Sequence, residues 1–418
     1  MVPDFPYDRL RRRPDVEAPN LQAHDATDVL LVDRGLALAA EHGISGAEVA
    51  VIGDEYGAIT LALTDAGLAG IRVHQDLATG RRALASNAAE LGLAGFSAHE
   101  LDRSLLEGAR LVLMQLPKAL AELEEIADAV ARWAAPDAVL VAGGRVKHMT
   151  LAQNEVLGRS FGRVQAQRAE RKSRLVIASE PLPVPAGPPF PVTAQHDGLT
   201  LVAHGGAFAG PRLDIGTRVL LDVLRLSSDR SLSEERSDET KRTIRPAASA
   251  SGVSSLRFDS PAARSTNVPR STNDVQTVVD LGCGTGALAV SYALAHPEAR
   301  VIATDRSAAA AASARATAAA NGVADRVTVM HDDAASELAE GSADLVLLNP
   351  PFHLGSSVHT GAATRLFEAS ARLLRPGGEL LTVYNSALGY RAELTRLIGP
   401  TEQLARTPKF TVMRSVRR

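Results

Sequence analysis

The sequence has a single cysteine, few aromatic residues and no long hydrophobic run among its 418 residues. One thiol, Cys283, cannot form an intrachain disulfide or a multi-cysteine metal site, and it fits a reducing compartment. No run approaches the roughly 18 apolar residues that span a membrane, and residues 1–7 lack the apolar core of a signal peptide. We therefore expect a cytoplasmic protein with no membrane segment and no bound metal.

The sequence also lacks a large excess of charge of either sign. Its formal net charge is −3, which argues against a general polyanion binder but is compatible with a local basic patch. The chain is 45% hydrophobic and 22% charged, values that are typical of a globular protein. The length indicates two or three domains.

Composition divides the chain into distinct segments. Residues 1–25 are rich in proline and arginine without periodicity, which indicates a tail, and a proline-rich linker covers residues 181–192. Residues 26–180 and 193–418 alternate strand-like and helix-like segments, which predicts a parallel, doubly wound sheet in each. Within the second block, residues 227–273 have almost no apolar pattern and are interpreted as a disordered insertion.

The two blocks carry matching landmarks roughly 230 residues apart. We align Gly57 with Gly286, Asp76 with Asp305, Gln115–Lys118 with Asn349–Phe352, and Pro136 with Pro376. This repetition indicates a duplication, and the alternative is two unrelated α/β domains that share a common pattern. The predicted fold class is therefore α/β, with two tandem Rossmann-like domains.

The first copy has lost the groups that would bind a ligand. Val51 replaces Asp280, Glu55 replaces Gly284, and Lys118 replaces Phe352. A glutamate where bare backbone must approach an anionic ligand blocks that ligand by its bulk and by its charge. We therefore expect a degenerate N-terminal domain beside a C-terminal domain that carries the chemistry.

A glycine-rich turn, Asp280-Leu-Gly282-Cys-Gly284-Thr-Gly286, follows the first strand of the second block. Such a turn lets bare backbone approach a ligand beside a helix N-terminus. Asp305 ends the next strand, where a carboxylate holds ribose hydroxyls. A dinucleotide site is an alternative, because Gly282, Gly284 and Ala287 also match G-x-G-x-x-(G/A).

Two further carboxylates favour S-adenosylmethionine as the ligand. Asp280 lies two residues before the first glycine, where it can engage the cationic amino-acid end of that molecule through backbone or ordered water. Asp333 ends the third strand, where it can accept a hydrogen bond from the adenine amine. The alternatives for Asp333 are a solvated loop acid, or Asp332 in the same role.

The turn Asn349-Pro350-Pro351-Phe352 follows the next buried strand. Two prolines end the strand and stiffen the chain. The Asn349 amide oxygen and the Pro350 carbonyl are both acceptors, and Phe352 is a flat apolar surface beside them. This arrangement suits a planar group with an exocyclic NH2, which would donate both hydrogens and keep its lone pair free.

Together, the Asp280–Gly286 turn, Asp305 and Asn349-Pro-Pro-Phe-His353 resemble a class I S-adenosylmethionine-dependent methyltransferase. The segments Leu213–Leu221 and Lys409–Val412 and the degenerate first half narrow the resemblance. They are similar to those of the bacterial ribosomal RNA guanine-N2 methyltransferases, both the type that acts on small ribosomal subunits (type C) and the type that acts on large ones (type G). The insertion at 227–273 departs from that family, which has a short connection there.

The resemblance implies a function and a set of roles. Asn349 and Pro350 would bind the guanine amine, and Phe352 would stack on the base; these three are the expected catalytic residues. The glycines and the acids Asp280, Asp305 and Asp333 would hold S-adenosylmethionine. Pro351, His353, Lys118, Arg171 and Lys172 are candidate contacts to the RNA. The implied partner is ribosomal RNA or a ribosomal subunit, and we expect a monomer.

Three other functions stay open at this point. Amino-group methyltransferases that act on protein glutamine or on adenine also use Asn-Pro-Pro followed by an aromatic residue. A nicotinamide oxidoreductase would use the same glycine turn. A non-catalytic RNA-binding assembly factor would not need the intact acids and glycines of the second block.

Overall fold

The computed structural model describes residues 5–225, 276–351 and 357–418, without the side chains of 357–360. The predicted insertion at 227–273 and the candidate residues Phe352 and His353 lie outside these ranges. No helix in the described part of the chain is both long enough and apolar enough to cross a membrane.

The N-terminal half forms a seven-stranded sheet. Its strands are β1 (Val49–Ile52), β2 (Ile71–His74), β3 (Phe96–Ala98), β4 (Leu111–Gln115), β5 (Val139–Arg145), β6 (Phe161–Ala166) and β7 (Ser173–Pro181). The helices are α1 (Ala26–His42), α2 (Ala58–Asp65), α3 (Ala78–Leu91), α4 (Arg103–Leu106), α5 (Leu120–Trp133) and α6 (Leu151–Leu157). The strand order is β3-β2-β1-β4-β5-β7-β6. Strands β1 to β5 are parallel, and β7 runs antiparallel between β5 and β6.

A hairpin of β8 (Val192–His196) and β9 (Leu199–Ala203) follows the proline-rich segment and precedes helix α7 (215–225). The remaining elements are β10 (Thr277–Leu281), α8 (Ala287–Ala295), β11 (Arg300–Asp305), α9 (Ala308–Ala320), β12 (Val327–His331), β13 (Ala343–Leu348), α10 (Ser357–Leu373), β14 (Leu374–Asn385), α11 (Arg391–Leu397), β15 (Thr401–Arg406) and β16 (Phe410–Val416). Strands β10 to β16 form a second sheet in the order β12-β11-β10-β13-β14-β16-β15.

The two sheets have the same order, and the predicted pair of tandem Rossmann-like domains is confirmed. A glycine in the left-handed conformation starts the first crossover helix in both: Gly57 has φ 93° and Gly286 has φ 79°. A Cβ on Gly57 would lie 2.6 Å from Leu84 Cδ1, and one on Gly286 would lie 3.0 Å from Ala314 Cβ. The same close approach to the following helix therefore requires glycine in both copies.

Burial explains the apolar strands. All four residues of β1 are buried, as are the last four residues of β10 and of β13. When helices cover both faces of a parallel sheet, the sequence of each strand is nearly continuously apolar and does not alternate between apolar and polar residues. Asp280 is a carboxylate inside such a strand, only 1% exposed, which marks it as a residue with a chemical role or a specific partner.

The segment before α1 is not a free tail, and that expectation was wrong for residues 5–25. Phe5, Leu10 and Ala23 are buried in the core of the N-terminal domain. Asn87 in α3 accepts from Arg11 N–H, and its amide donates to the Arg11 and Tyr56 carbonyls. Scattered apolar anchors without a helical or strand period gave no sequence signal for this packing.

The alignment of Asp76 with Asp305 was also wrong, by one residue. Gln75 Oε1 accepts from Leu77 N–H at 3.0 Å, and Asp305 Oδ1 accepts from Ser307 N–H at 2.9 Å. Gln75 is therefore the counterpart of Asp305. The sequence comparison matched acid with acid, whereas the structure places an amide at this position of the degenerate copy.

Asn87 should be an anchor for the N-terminal segment. The Asn87→Ala substitution removes the partner of the buried Tyr56 carbonyl and of two part-buried backbone groups of Arg11, and we expect a loss of about 1–3 kcal/mol in the free energy of unfolding. Urea unfolding measures this loss. Asn154→Ala, on the partly exposed α6, is the control and should change stability by no more than about 0.5 kcal/mol. Equal effects of the two substitutions would contradict the anchoring role.

Candidate active site

The candidate site lies where β10 and β13 end side by side in the second sheet. Leu281 is in register with Leu348, so Gly282 and Asn349 leave the sheet as neighbours. The crossovers from these two strands lead to opposite edges of the sheet, since β11 flanks β10 and β14 flanks β13. In open α/β sheets, ligands bind in the crevice at this position. The structure thus brings the glycine turn and the Asn-Pro-Pro turn to one crevice.

The glycine turn is held open by backbone hydrogen bonds. The N–H groups of Gly282 and Cys283 both donate to Thr304 O, at 2.8 and 3.0 Å. A Cβ placed on Gly282 or on Gly284 would meet no atom within 4 Å. Bare backbone therefore faces open space beside the start of α8, and a ligand can approach it closely.

Asp280 is a buried carboxylate with one free oxygen. Its Oδ2 accepts from Ala289 N–H in α8 at 2.9 Å, whereas the buried Oδ1 has no partner among the described residues. Burial and the charge of Asp305 raise the pKa of Asp280 to about 7. A cationic ligand group beside this oxygen would favour the charged carboxylate and offset the effect of burial, and the amino-acid end of S-adenosylmethionine carries such a group.

Asp305 links the end of β11 to the glycine turn. Its Oδ2 accepts from Gly284 N–H at 2.9 Å, and its Oδ1 accepts from Ser307 N–H. Burial raises the pKa of Asp305, although both hydrogen bonds favour its charged form. Cys283 is buried, and burial also raises the pKa of its thiol, so this cysteine is not poised as a nucleophile.

The structure separates the two neighbouring acids after β12. Asp332 accepts from Arg82, from Ser336 Oγ and from Glu337 N–H. Its carboxylate is therefore fully engaged, whereas Asp333 pairs with a single side chain, Arg365 of α10. This leaves Asp333 as the candidate for the adenine amine. Arg365 is a partner that the sequence analysis missed.

The amide of Asn349 is oriented by two residues that precede α7 or lie in its first turn. Its Nδ2 donates to Asp214 Oδ2 and to Thr217 Oγ1, each at 2.9 Å. A carboxylate can only accept, so the NH2 group must face Asp214. The buried Oδ1 of Asn349 has no partner among the described residues. The site therefore presents an unpaired acceptor next to the buried Pro350.

Gly216 lets α7 approach this amide. A Cβ on Gly216 would lie 3.1 Å from Asn349 Oδ1, 3.1 Å from Asp214 Oδ2 and 3.3 Å from Phe410 Cε1. The segments Leu213–Leu221 and Lys409–Val412 thus converge on Asn349. Asp214, Gly216, Thr217 and Phe410 were missed as site residues, because the sequence showed these segments only as family-like motifs without a spatial relation to Asn349.

The degenerate copy keeps parts of this arrangement in altered form. Gln115 donates to Asp28 Oδ1 at 2.5 Å, which repeats the bond of Asn349 to Thr217, because Asp28 and Thr217 are the third residues of α1 and α7. Asp54 Oδ2 accepts from Thr60 N–H at 2.7 Å, the same helix position that Asp280 serves in the second copy. A cavity of about 1220 Å³ lies at this edge, with Glu55 in its wall. Carboxylates thus occupy the place of the open glycine turn.

The basic candidates lie at the carboxyl edge of the first sheet. Lys118 follows β4, and Arg171 and Lys172 precede β7, whose first residue Ser173 pairs with Arg145 at the end of β5. All three side chains are exposed. Among the described residues, no group of His, Cys, Asp or Glu is arranged to hold a metal ion.

Known protein families match both halves of the chain. A family model described as "Methyltransferase small domain" matches residues 266–414. A second, described as "RLMG N-terminal domain", matches residues 4–182. The second match includes the segment before α1, in agreement with its packing on the domain.

Two curated relatives share the name ribosomal RNA large subunit methyltransferase G. The protein of Ectopseudomonas mendocina is 33% identical over 411 residues, which cover 97% of this chain and 96% of the relative. The protein of Streptomyces coelicolor is 33% identical over 424 aligned positions, which cover 98% of this chain and 97% of the relative. A solved structure, a 16S rRNA N2 methyltransferase of T. thermophilus with AdoMet and guanosine, covers 99% of both chains with a TM-score of 0.66. At 20% identity, this likeness shows a common fold over the whole length.

Asp280 should release a proton when S-adenosylmethionine binds. With a pKa of about 7, the Asp280 carboxyl of the free protein is mostly protonated at slightly acidic pH. A bound cation favours the carboxylate and lowers that pKa, and a group whose pKa falls on binding gives up a proton. Calorimetric titrations in buffers of different ionisation enthalpy measure this release.

Two substitutions provide the controls for this measurement. The release should disappear in Asp280→Asn and persist in Asp28→Asn. Asp28 is a comparable acid, whose pKa burial and Asp54 raise to about 8, but it belongs to the other domain. The same proton count in an Asp280→Asn protein that still binds the cofactor would assign the release to another group.

Proposed function

The chain belongs to the family of the ribosomal RNA large subunit methyltransferase G proteins, and on that premise we propose that it methylates the exocyclic N2 amine of a guanine in large-subunit ribosomal RNA. The methyl donor is S-adenosylmethionine. Family membership confirms the resemblance found in the sequence. Asp214 and Thr217 hold the NH2 group of Asn349, while its buried Oδ1 has no partner among the described residues. This free acceptor is the observation that carries the guanine assignment.

The cofactor fits the second copy by the chemistry of its residues. Asp280 would hold the cationic amino-acid end, Gly282, Gly284 and Gly286 would leave room for it, and Asp305 and Asp333 would hold the ribose and the adenine amine. When bound, S-adenosylmethionine supplies an electrophilic methyl group on a sulfonium. The free Oδ1 of Asp280 and the open space at the glycines support this fit.

The residues of the chain act by positioning. Asn349 Oδ1 and the Pro350 carbonyl would accept the two hydrogens of the guanine amine, so that its lone pair faces the methyl donor. Phe352 and Pro351 would contact the base, with His353 beside them. No base is required before attack, because the lone pair of the neutral amine is already available. The amine loses one of its hydrogens as a proton to solvent after the methyl group has been transferred. Alignment of the reacting atoms at about 3–3.5 Å supplies the main acceleration.

The N-terminal domain would contact the RNA around the target base. Lys118, Arg171 and Lys172 lie at one edge of its sheet, and exposed cations on one edge suit phosphate contacts that set register and carry no sequence information. The target guanine must be unpaired or flipped to reach the crevice. A monomer with these two domains suffices for that arrangement.

Methyl transfer can be tested with tritiated S-adenosylmethionine and separate large-subunit and small-subunit RNAs from cells that lack the protein. We expect label in N2-methylguanosine of the large-subunit RNA only, identified after digestion to nucleosides. Label in another nucleoside would overturn the guanine assignment. Label in small-subunit RNA alone would overturn the assignment to the large subunit, and label in protein would move the activity to an amide acceptor.

Asp214 should set the rate of methyl transfer through Asn349. Asp214→Ala removes one of the two acceptors that orient the amide, and we expect kcat to fall by about 10- to 100-fold. The dissociation constant for S-adenosylmethionine should stay unchanged, because Asp214 does not line the glycine turn. Single-turnover kinetics and calorimetry give the two quantities.

The duplication supplies a matched control for this substitution. Asp28→Asn alters the bond between Gln115 and the first helix of the degenerate copy and should leave kcat within about twofold of the unaltered protein. Equal losses from Asp214→Ala and Asp28→Asn would show a general effect on folding. An Asn349→Ala protein with full methyl transfer would remove Asn349 from the mechanism.

A further inference from the structure

The two domains meet at the carboxyl ends of their sheets. The segments that follow β2 and β11 form an antiparallel bridge between Leu77 and Ser307. Two backbone hydrogen bonds of 2.8 Å flank the bridge: Ala78 N–H donates to Arg306 O, and Ala308 N–H donates to Asp76 O. The contact is therefore reciprocal, with equivalent residues of the two copies in equivalent roles.

Asp76 extends this contact to the neighbourhood of Asp305. Its Oδ1 accepts from Ser307 Oγ at 3.1 Å and from Ala309 N–H at 2.9 Å. The N–H of the same Ser307 donates to Asp305 Oδ1. One residue of the catalytic domain is thus held by its own site acid on one side and by the degenerate domain on the other.

Arg82 makes a second contact of the same kind. From α3 it donates to Asp332 Oδ1 at 2.6 Å, to Ser336 Oγ at 2.8 Å and to Glu337 at 3.2 Å. The side chain of Asp332 is fully buried, and Asp332 directly precedes Asp333. A buried carboxylate is costly unless it is paired, so the conformation of this loop depends on an arginine from the other domain.

A histidine connects the two contacts. His331 Nε2, at the end of β12, lies 2.9 Å from both Asp76 O and Arg306 O. In the tautomer that carries its hydrogen on Nε2, this N–H donates to both carbonyls, one from each domain. The loops after β11 and β12 are therefore tied to each other and to the first domain.

From these contacts we propose that the degenerate domain is a structural part of the cofactor site, in which Asp76 and Arg82 position the loops that carry Asp305 and Asp333. In this proposal Asp76 acts through Ser307 and Arg82 acts through Asp332, not by contact with the cofactor. The inference rests on the proposed function only in taking S-adenosylmethionine as the ligand of these loops. The first copy would thus contribute to cofactor binding although it has lost its own ligand-binding groups.

Arg82→Met tests this role, and Arg110→Met is the control. Arg110 directly precedes β4 and pairs with Asp137 at 2.9 Å and with Glu48 at 3.6 Å inside its own domain, so Arg110→Met removes an arginine with two acidic partners away from the interface. We expect Arg82→Met to weaken S-adenosylmethionine binding by about 2- to 30-fold, the range for a residue coupled to a site through contacts. Arg110→Met should bind as the unaltered protein does.

A second readout needs no cofactor. Glu337 N–H donates to Asp332 Oδ2 at 2.9 Å, so its hydrogen exchange reports the order of the loop. Exchange at Glu337 in the free, full-length protein should speed up in Arg82→Met and stay unchanged in Arg110→Met. Equal binding and equal exchange in the two variants would overturn the proposal.

Asp76 provides an independent pair of variants. Asp76→Ala removes the acceptor for Ser307 and Ala309, and it should weaken cofactor binding, whereas Asp76→Asn keeps an acceptor oxygen and should restore part of the affinity. Identical affinities for Asp76→Ala and the unaltered protein would overturn the role of Asp76. Direct binding separates this inference from the function: cofactor binding with the expected changes but no methylated RNA would leave the inference intact and refute the proposed substrate.

Discussion

The parallel pairing of β10 with β13 is the constraint on which the candidate site depends. Leu281 and Leu348 are in register, so the chain must leave both strands at the same height and turn away in opposite directions. The glycine turn and the Asn-Pro-Pro turn become neighbours although more than sixty residues separate them in the sequence. Acceptor oxygens of Asp280 and Asn349 stay buried and unpaired in the described chain. Such atoms are costly to leave without partners, and a ligand with donors or positive charge compensates them.

The two copies of the duplicated domain share some hydrogen bonds and differ in others. The pair Gln115–Asp28 repeats the pair Asn349–Thr217. Asp54 accepts from the third residue of α2, as Asp280 does from the third residue of α8. These shared hydrogen bonds stabilise the fold in both halves and were retained in both. The open glycine turn was not retained, and Glu55 stands at the position aligned with Gly284. The edge of the first sheet was left to contact the second domain and, in our proposal, the RNA.

Local chemistry could be predicted from the sequence and long-range partners could not. Asp280 and Asp305 are recognisable because they lie at the ends of the apolar strands β10 and β11, and the Asn-Pro-Pro turn because it directly follows β13. Gln75 was missed as the counterpart of Asp305 because a one-residue shift between repeats is invisible when residue types are matched. Phe5 and Leu10 were missed because their burial follows no helical or strand period.

The sequence by itself determined the strand and helix pattern, the repeat and the residues that end each strand, since these depend on hydrophobic period, glycine and proline at short range. Only the tertiary structure decided which way the Asn349 amide points, because that depends on Asp214, which reaches the site from a segment far away in the chain. It likewise gives Asp332 and Asp333 different partners, since Arg82 from the other domain pairs with the first and Arg365 with the second. Pairing across a fold is set by which surfaces meet, and no short-range pattern records that.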